Sequence, residues 1–173
     1  MRSNAFPINR LLLITICLLA LSASNAFSQQ REFHSLEEAL LTPDSVEVLI
    51  LKKQHLTAIP SEIYTLKRLK KLSLSKNNIT QISDSISLLS HLHHLDLSSN
   101  RISTLPAAMS SLPLDTLILW DNPLYVMDTA LAALPLRYLD LRAITMTSAE
   151  QKAILSLFPK ARIRRNQPCN CGR

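Results

Sequence analysis

Three groups of side chains in this sequence have the types and spacing to do chemistry. Ser73, His94 and Asp96 could act as nucleophile, base and orienting acid, but that division of labour needs a pocket that shifts pKa values and holds an oxyanion. His91, His93 and His94, with Asp96 two residues further on, invite a metal reading. Alternate strand residues lie about 6.6 Å apart, wide for two side chains meeting one zinc, and a third ligand is not at hand. Cys169 and Cys171 offer two thiols with no later Cys or His to close a zinc site. The one glycine among 173 residues is Gly172, which removes glycine-rich phosphate loops, dinucleotide fingerprints and nucleophile elbows. The expectation is a protein with no catalytic residue, no metal and no cofactor, whose side chains act by contact.

Any such contact surface must be carried by a leucine-built core. Leucine supplies 34 of the 173 residues, and 47% of the chain is apolar against 18% charged, too hydrophobic for disorder and of a length suited to one domain. The net charge of +6 is unevenly spread. Arg2 and Arg10 precede an apolar run, while Lys160, Arg162, Arg164, Arg165 and Arg173 crowd the last fourteen residues; between them 12 basic residues face 13 acids. The body is nearly neutral and the basic character belongs to the two ends. Nucleic acid is therefore not an expected partner.

Residues 1–28 have the composition of a secretory signal. Arg2 and Arg10 lead into the run Leu11 to Leu21, and small residues then allow a cut after Ala26 or, preferably, after Ser28. Eleven residues make a helix of about 16 Å, short of the ~30 Å hydrocarbon core of a bilayer. Export to the periplasm, the cell surface or the extracellular space is the expectation. Cleavage would remove Cys17 and leave Cys169 and Cys171, too few for a disulfide scaffold. The fold has to stand on packing.

From Val46 the apolar positions restart every 22 or 23 residues, at Leu69, Leu92, Leu114 and Leu136. The fourth place of each unit holds Leu49, Leu72, Leu95, Leu117 and Leu139, and the sixth Leu51, Leu74, Leu97, Leu119 and Leu141. Further apolar residues recur at the eleventh, fourteenth, eighteenth and twenty-first places. The ninth holds Gln54, Asn77, Asn100 and Asn122, and in the fifth unit Ile144. Alternation across places three to six writes a short strand with its fourth and sixth side chains inward and its third and fifth outward. One such unit cannot bury enough surface to fold alone, whereas a stack covers every apolar layer on both sides. An asparagine at the turn offers two donors and an acceptor to backbone groups that the bend leaves unpaired, so Asn77, Asn100 and Asn122 are read as a structural ladder.

Leu69-Lys70-Lys71-Leu72-Ser73-Leu74-Ser75-Lys76-Asn77-Asn78-Ile79 and Leu92-His93-His94-Leu95-Asp96-Leu97-Ser98-Ser99-Asn100-Arg101-Ile102 resemble the leucine-rich repeat pattern at every fixed place. Ile59-Pro60 and Leu105-Pro106 resemble its short 23-residue Leu-Pro subclass, from which Ser83 and Asp128 depart. The resemblance implies an α/β repeat fold: a right-handed solenoid with short parallel β-strands on its concave face and helical caps. It also implies recognition of a protein or peptide there.

The expected organisation is a signal at 1–28, an N-terminal helical cap at 29–45, four repeats at 46–135, a fifth strand layer with a helix-strand cap at 136–165, and a flexible basic tail at 166–173. Ser35-Leu36-Glu37-Glu38 and Thr147-Ser148-Ala149-Glu150 are capping boxes that would start the two cap helices. Lys160 to Arg164 alternate with Ala161 and Ile163, as in an edge strand guarded by charge.

Counting from the register puts Lys71, His94, Thr116 and Tyr138 in the outward third-place column, Asp96, Ile118 and Asp140 in the fifth, and Trp120 and Arg142 in the seventh. These nine are the candidate protein-binding residues, with Trp120 and Arg142 of the types that anchor interfaces. Lysines at the early end and Asp96, Asp115, Asp121 and Asp140 at the later end suggest a two-sided face, suited to a protein more than to a uniform polyanion. The alternative is that Lys160 to Arg165 bind an anionic surface, such as lipid head groups or a wall polymer.

Overall fold

A computed structural model describes residues 32–166; the expected signal at 1–28, and Cys169 and Cys171 in the tail, lie outside the described residues. Seven strands form one parallel sheet in chain order: β1 (Glu32–Phe33), β2 (Val48–Ile50), β3 (Lys71–Ser73), β4 (His94–Asp96), β5 (Thr116–Ile118), β6 (Tyr138–Leu141) and β7 (Arg162–Arg165). The register pairs Leu49 with Leu72, Leu72 with Leu95, Leu95 with Leu117 and Leu117 with Leu139. The fourth places thus form one column, and none of its five leucines is more than 1% exposed. Stacking one unit on the next gives each strand its hydrogen-bond partners and each leucine its cover, which is what a solenoid requires.

The chain returns behind the sheet through one 3₁₀ turn per repeat, at Ser61–Thr65, Asp84–Leu88, Ala107–Ser111 and Thr129–Ala133. Ile63, Ile86, Met109 and Leu131 point from these turns into the core and are fully buried. Pro60 and Pro106 start two of the turns, their rings holding φ at −54° and −71°. Ser83 and Asp128 start the other two at nearly the same φ, −68° and −64°. Their side chains accept hydrogen bonds from the Ser85 and Ala130 amides at 3.2 and 2.8 Å. The departures from the Leu-Pro pattern therefore leave the convex side unchanged, because a side-chain cap replaces a fixed dihedral.

Asparagine at the ninth place ties adjacent repeats through their backbones. Asn100 donates to the Leu74 and Leu97 carbonyls at 3.0 and 2.9 Å and accepts from the Ile79 amide at 3.0 Å. Asn77 and Asn122 repeat the arrangement, Asn77 on Leu51, Leu74 and Leu56 and Asn122 on Leu97, Leu119 and Ile102. The residue just before the ladder place has a left-handed backbone in every unit: Lys53, Lys76, Ser99, Asp121 and Ala143 have φ between 52° and 59°. Each carries a Cβ where glycine would avoid a cost of roughly 1 kcal/mol.

Two features of the ends differ from the sequence reading. The segment read as an N-terminal helical cap holds α1 (Leu36–Leu41), and β1, which the sequence reading did not include, precedes it, with Phe33 buried beside Leu49 in the inward column. Ser35 caps α1, accepting weakly from the Glu38 amide at 3.4 Å, while its hydroxyl donates to Glu37 and not to Glu38. At the other end α2 (Ser148–Leu157) has the reciprocal box: the Thr147 hydroxyl accepts from the Glu150 amide at 3.2 Å, and the Glu150 carboxylate accepts from the Thr147 amide at 2.6 Å. That amide and the Thr147 hydroxyl hold the Glu150 carboxyl below its ordinary pKa.

Candidate functional site on the concave face

Inward leucines at the fourth and sixth places force the third, fifth and seventh side chains onto the opposite side of the sheet. Register then sets their neighbours: Lys71, His94, Thr116 and Tyr138 lie side by side, as do Ser73, Asp96, Ile118 and Asp140. The Ser99 amide donates to the Trp120 carbonyl at 2.7 Å and the Asp121 amide to the Arg142 carbonyl at 3.0 Å, which places Trp120 between the Ser98 and Arg142 layers. Thr116, Ile118, Trp120 and Tyr138 are half-buried and form the centre of the face; His94 is also half-buried and Lys71 exposed.

Carboxylates at the fifth place do local work. Asp96 accepts from the Ser73 hydroxyl at 2.9 Å, from the Ser98 hydroxyl at 2.6 Å and from the Ser98 amide at 3.0 Å. Its two oxygens therefore orient serines and not an imidazole, and Ser73 and Ser98 are themselves buried. Asp140 accepts from the Arg142 amide at 3.2 Å, from its guanidinium at 2.7 to 3.1 Å and from the Tyr138 hydroxyl at 3.3 Å. Burial alone would raise the Asp140 pKa, but the Arg142 hydrogen bonds and charge, with the Tyr138 hydroxyl, outweigh it and hold the group below the ordinary carboxylate value.

The expectation that Asp140 presents a charge to a partner is thus corrected. It is 2% exposed, because Arg142 folds back over it, and that pair fixes Tyr138 from below. The expectation that the late end is acidic changes with it. β7 continues the outward columns, setting Arg162 beside Tyr138 and Arg164 beside Asp140, so positive charge stands at the late margin as well as at Lys71. The repeat register could not place these arginines, since α2 lengthens the interval between β6 and β7; the alternating Arg162-Ile163-Arg164 pattern was the available signal.

Elsewhere His91 bonds the Lys67 carbonyl at 2.9 Å and His93 the His91 carbonyl at 2.7 Å. His94 is pushed below the ordinary histidine pKa, first by burial and then by the Lys71 charge, against an opposing pull from Asp96 and Asp115.

The leucine rich repeat family model matches residues 44–102 and 67–124. These units are leucine-rich repeats, and the stack that they build is a leucine-rich repeat solenoid. Among curated proteins no sequence matches the chain. Solved structures do. A leucine-rich repeat protein of Leptospira interrogans is 22% identical with a TM-score of 0.50, over 78% of this chain and 46% of that one. An internalin of Listeria monocytogenes is 22% identical with a TM-score of 0.57, over 71% and 37%. A chain of the Drosophila Toll–Spatzle complex is 24% identical with a TM-score of 0.59, over 71% and 19%. The likeness is one of fold, and this chain spans less than half the length of each.

Proposed function

We propose that this protein is exported and works as a binding module that receives a protein or peptide on its concave face. The observation that carries the reading is the half-exposed group Thr116, Ile118, Trp120 and Tyr138 on the side of the sheet away from the core. Amphipathic aromatics held on a rigid sheet give large contact area at low entropic cost, and Lys71, His94 and Arg162 surround them with polar and charged atoms. Asp140 lies beneath this surface and accepts from Tyr138 with the part-exposed Arg142 over it, while Asp96 fixes Ser73 of the preceding repeat and Ser98 of its own. The structure of Toll in complex with Spatzle supports a protein partner by analogy of fold. Export rests on the composition of residues 1–28.

Replacing Trp120 and Tyr138 with Ala tests the reading. Partner capture from secreted or envelope fractions is expected to fall at least tenfold while the melting temperature stays within a few degrees. Undiminished capture by the folded double variant would end it. A second reading, binding of an anionic surface through Lys160, Arg162, Arg164 and Arg165, draws on their lack of ion-pair partners among the described residues. It predicts loss of binding at moderate ionic strength with a Trp120 variant unaffected.

A further inference from the structure

The two ends of the sheet each leave one strand edge unpaired among the described residues: β1 pairs only with β2, and β7 only with β6. An open edge is a row of N–H and C=O groups ready to accept another strand. The register says what a further strand would meet. Glu32 stands in the column of Val48 and Tyr138, and Arg162 continues that same column; Phe33 and Ile163 both belong to the inward column of Leu49 and Leu139. If the stack ran on from β7 into a second β1, the spacing between rungs would set Arg162 about 4.8 Å from Glu32 and lay Ile163 against Phe33.

Charge and apolar surface at the two ends agree with that register. At the late end Lys160, Arg162, Arg164 and Arg165 are exposed, and none has an ion-pair partner among the described residues. On β1 and α1 the early end exposes Glu32, Glu37 and Glu38, with Glu32 3.5 Å from the exposed His34, while the exposed Lys52 and Lys53 belong to the first repeat behind them. Met146, Leu155 and Ile163 are half-buried around a small hollow behind β7. On α1, Leu36 and Leu40 are half-buried and Leu41 is 82% exposed. Joining late end to late end would oppose arginine to arginine, and early to early glutamate to glutamate; only early to late pairs opposite signs.

We infer that the solenoid associates with a second copy of itself head to tail, β7 of one copy pairing in parallel with β1 of the next. The contact is heterologous, so each dimer keeps one free end of each kind and can grow. It is independent of what the concave face binds.

Sedimentation velocity of the purified protein tests this. The weight-average mass is expected to rise with concentration at low salt and to return to monomer at high salt. R162E/R164E breaks the late end and E32R/E38R the early end; each variant alone is expected to stay monomeric. Mixed in equal amounts they should co-assemble, because the intact late end of one meets the intact early end of the other and the reversed charges at the remaining ends are again opposite in sign. Matching thermal melts establish that both variants fold, and the wild-type concentration series stands even where a variant does not. Monomeric wild type at every concentration, variants that associate as wild type does, or a mixture that stays monomeric would overturn the inference. So would monomers that leave solution only on vesicles of anionic phospholipid, which would assign the basic end to lipid.

Discussion

Two columns of this solenoid lie two residues apart in every repeat and follow different rules. At the ninth place Asn77, Asn100 and Asn122 are buried, and each joins backbone groups of two adjacent repeats. At the seventh place stand Lys52, Ser75, Ser98, Trp120 and Arg142, five residues of four types. The backbone explains the contrast. The turn leaves carbonyls and an amide that only a short amide side chain can reach together, so the ninth place is fixed by the fold. The seventh place meets no backbone need common to every repeat: Ser75 and Ser98 are buried, Arg142 covers Asp140, and Trp120 stands half-exposed on the outer face. The two end units keep the left-handed turn at Lys53 and Ala143 but not the asparagine: Gln54 in the first repeat is exposed, and Ile144 in the fifth is buried as a core residue.

The largest expected effect breaks this comparison at its stronger side. Asn100→Leu strands the Ile79 amide in the core and takes from the Leu74 and Leu97 carbonyls one of the two asparagine donors that each has, and should cost about 3 kcal/mol in urea unfolding, whereas Gln54→Leu in the same column should cost under about 0.5 kcal/mol. Equal losses would remove the ladder argument.

Asp140→Asn comes next, on the outward face. It leaves the Arg142 guanidinium facing a neutral amide and should cost about 2 kcal/mol at neutral pH. The sign with pH follows from the depressed Asp140 pKa: the stabilisation is complete above the unfolded carboxylate value near 4 and is lost as pH falls through the lower folded value. Wild type and D140N should therefore converge in acid, measured as melting temperature against pH.

A smaller effect sharpens the convex side. Ser83→Ala removes a turn cap and should cost about 1 kcal/mol, while Ser83→Pro should restore most of it, since Pro60 and Pro106 start the same turn. The smallest is a gain. Lys76→Gly relieves a left-handed backbone at φ 59° and should stabilise by up to about 1 kcal/mol, read as a rise in midpoint denaturant.

Most of the fold was legible because one repeated unit writes the same physical problem several times. Leucines at the fourth and sixth places gave the strand and its facing, and counting by twos from them put Thr116, Ile118, Trp120 and Tyr138 on the outer surface. What escaped the reading lies where repetition stops. β1 has only two residues, Glu32 and Phe33, and its identity comes from pairing with β2. Arg162 and Arg164 enter the outward columns through β7, after a helix has broken the interval. Asp140 was placed in its column correctly but not in its environment, because burial there depends on how Arg142 folds over it.

The central claim, that the concave centre is where a partner sits, is tested most directly by site-specific photocrosslinking. A photoreactive side chain at Trp120 should capture a protein or peptide from exported fractions, and the same group on the convex side at Ser87 should not. Capture from Ser87 with none from Trp120, in variants that melt alike, would contradict the account.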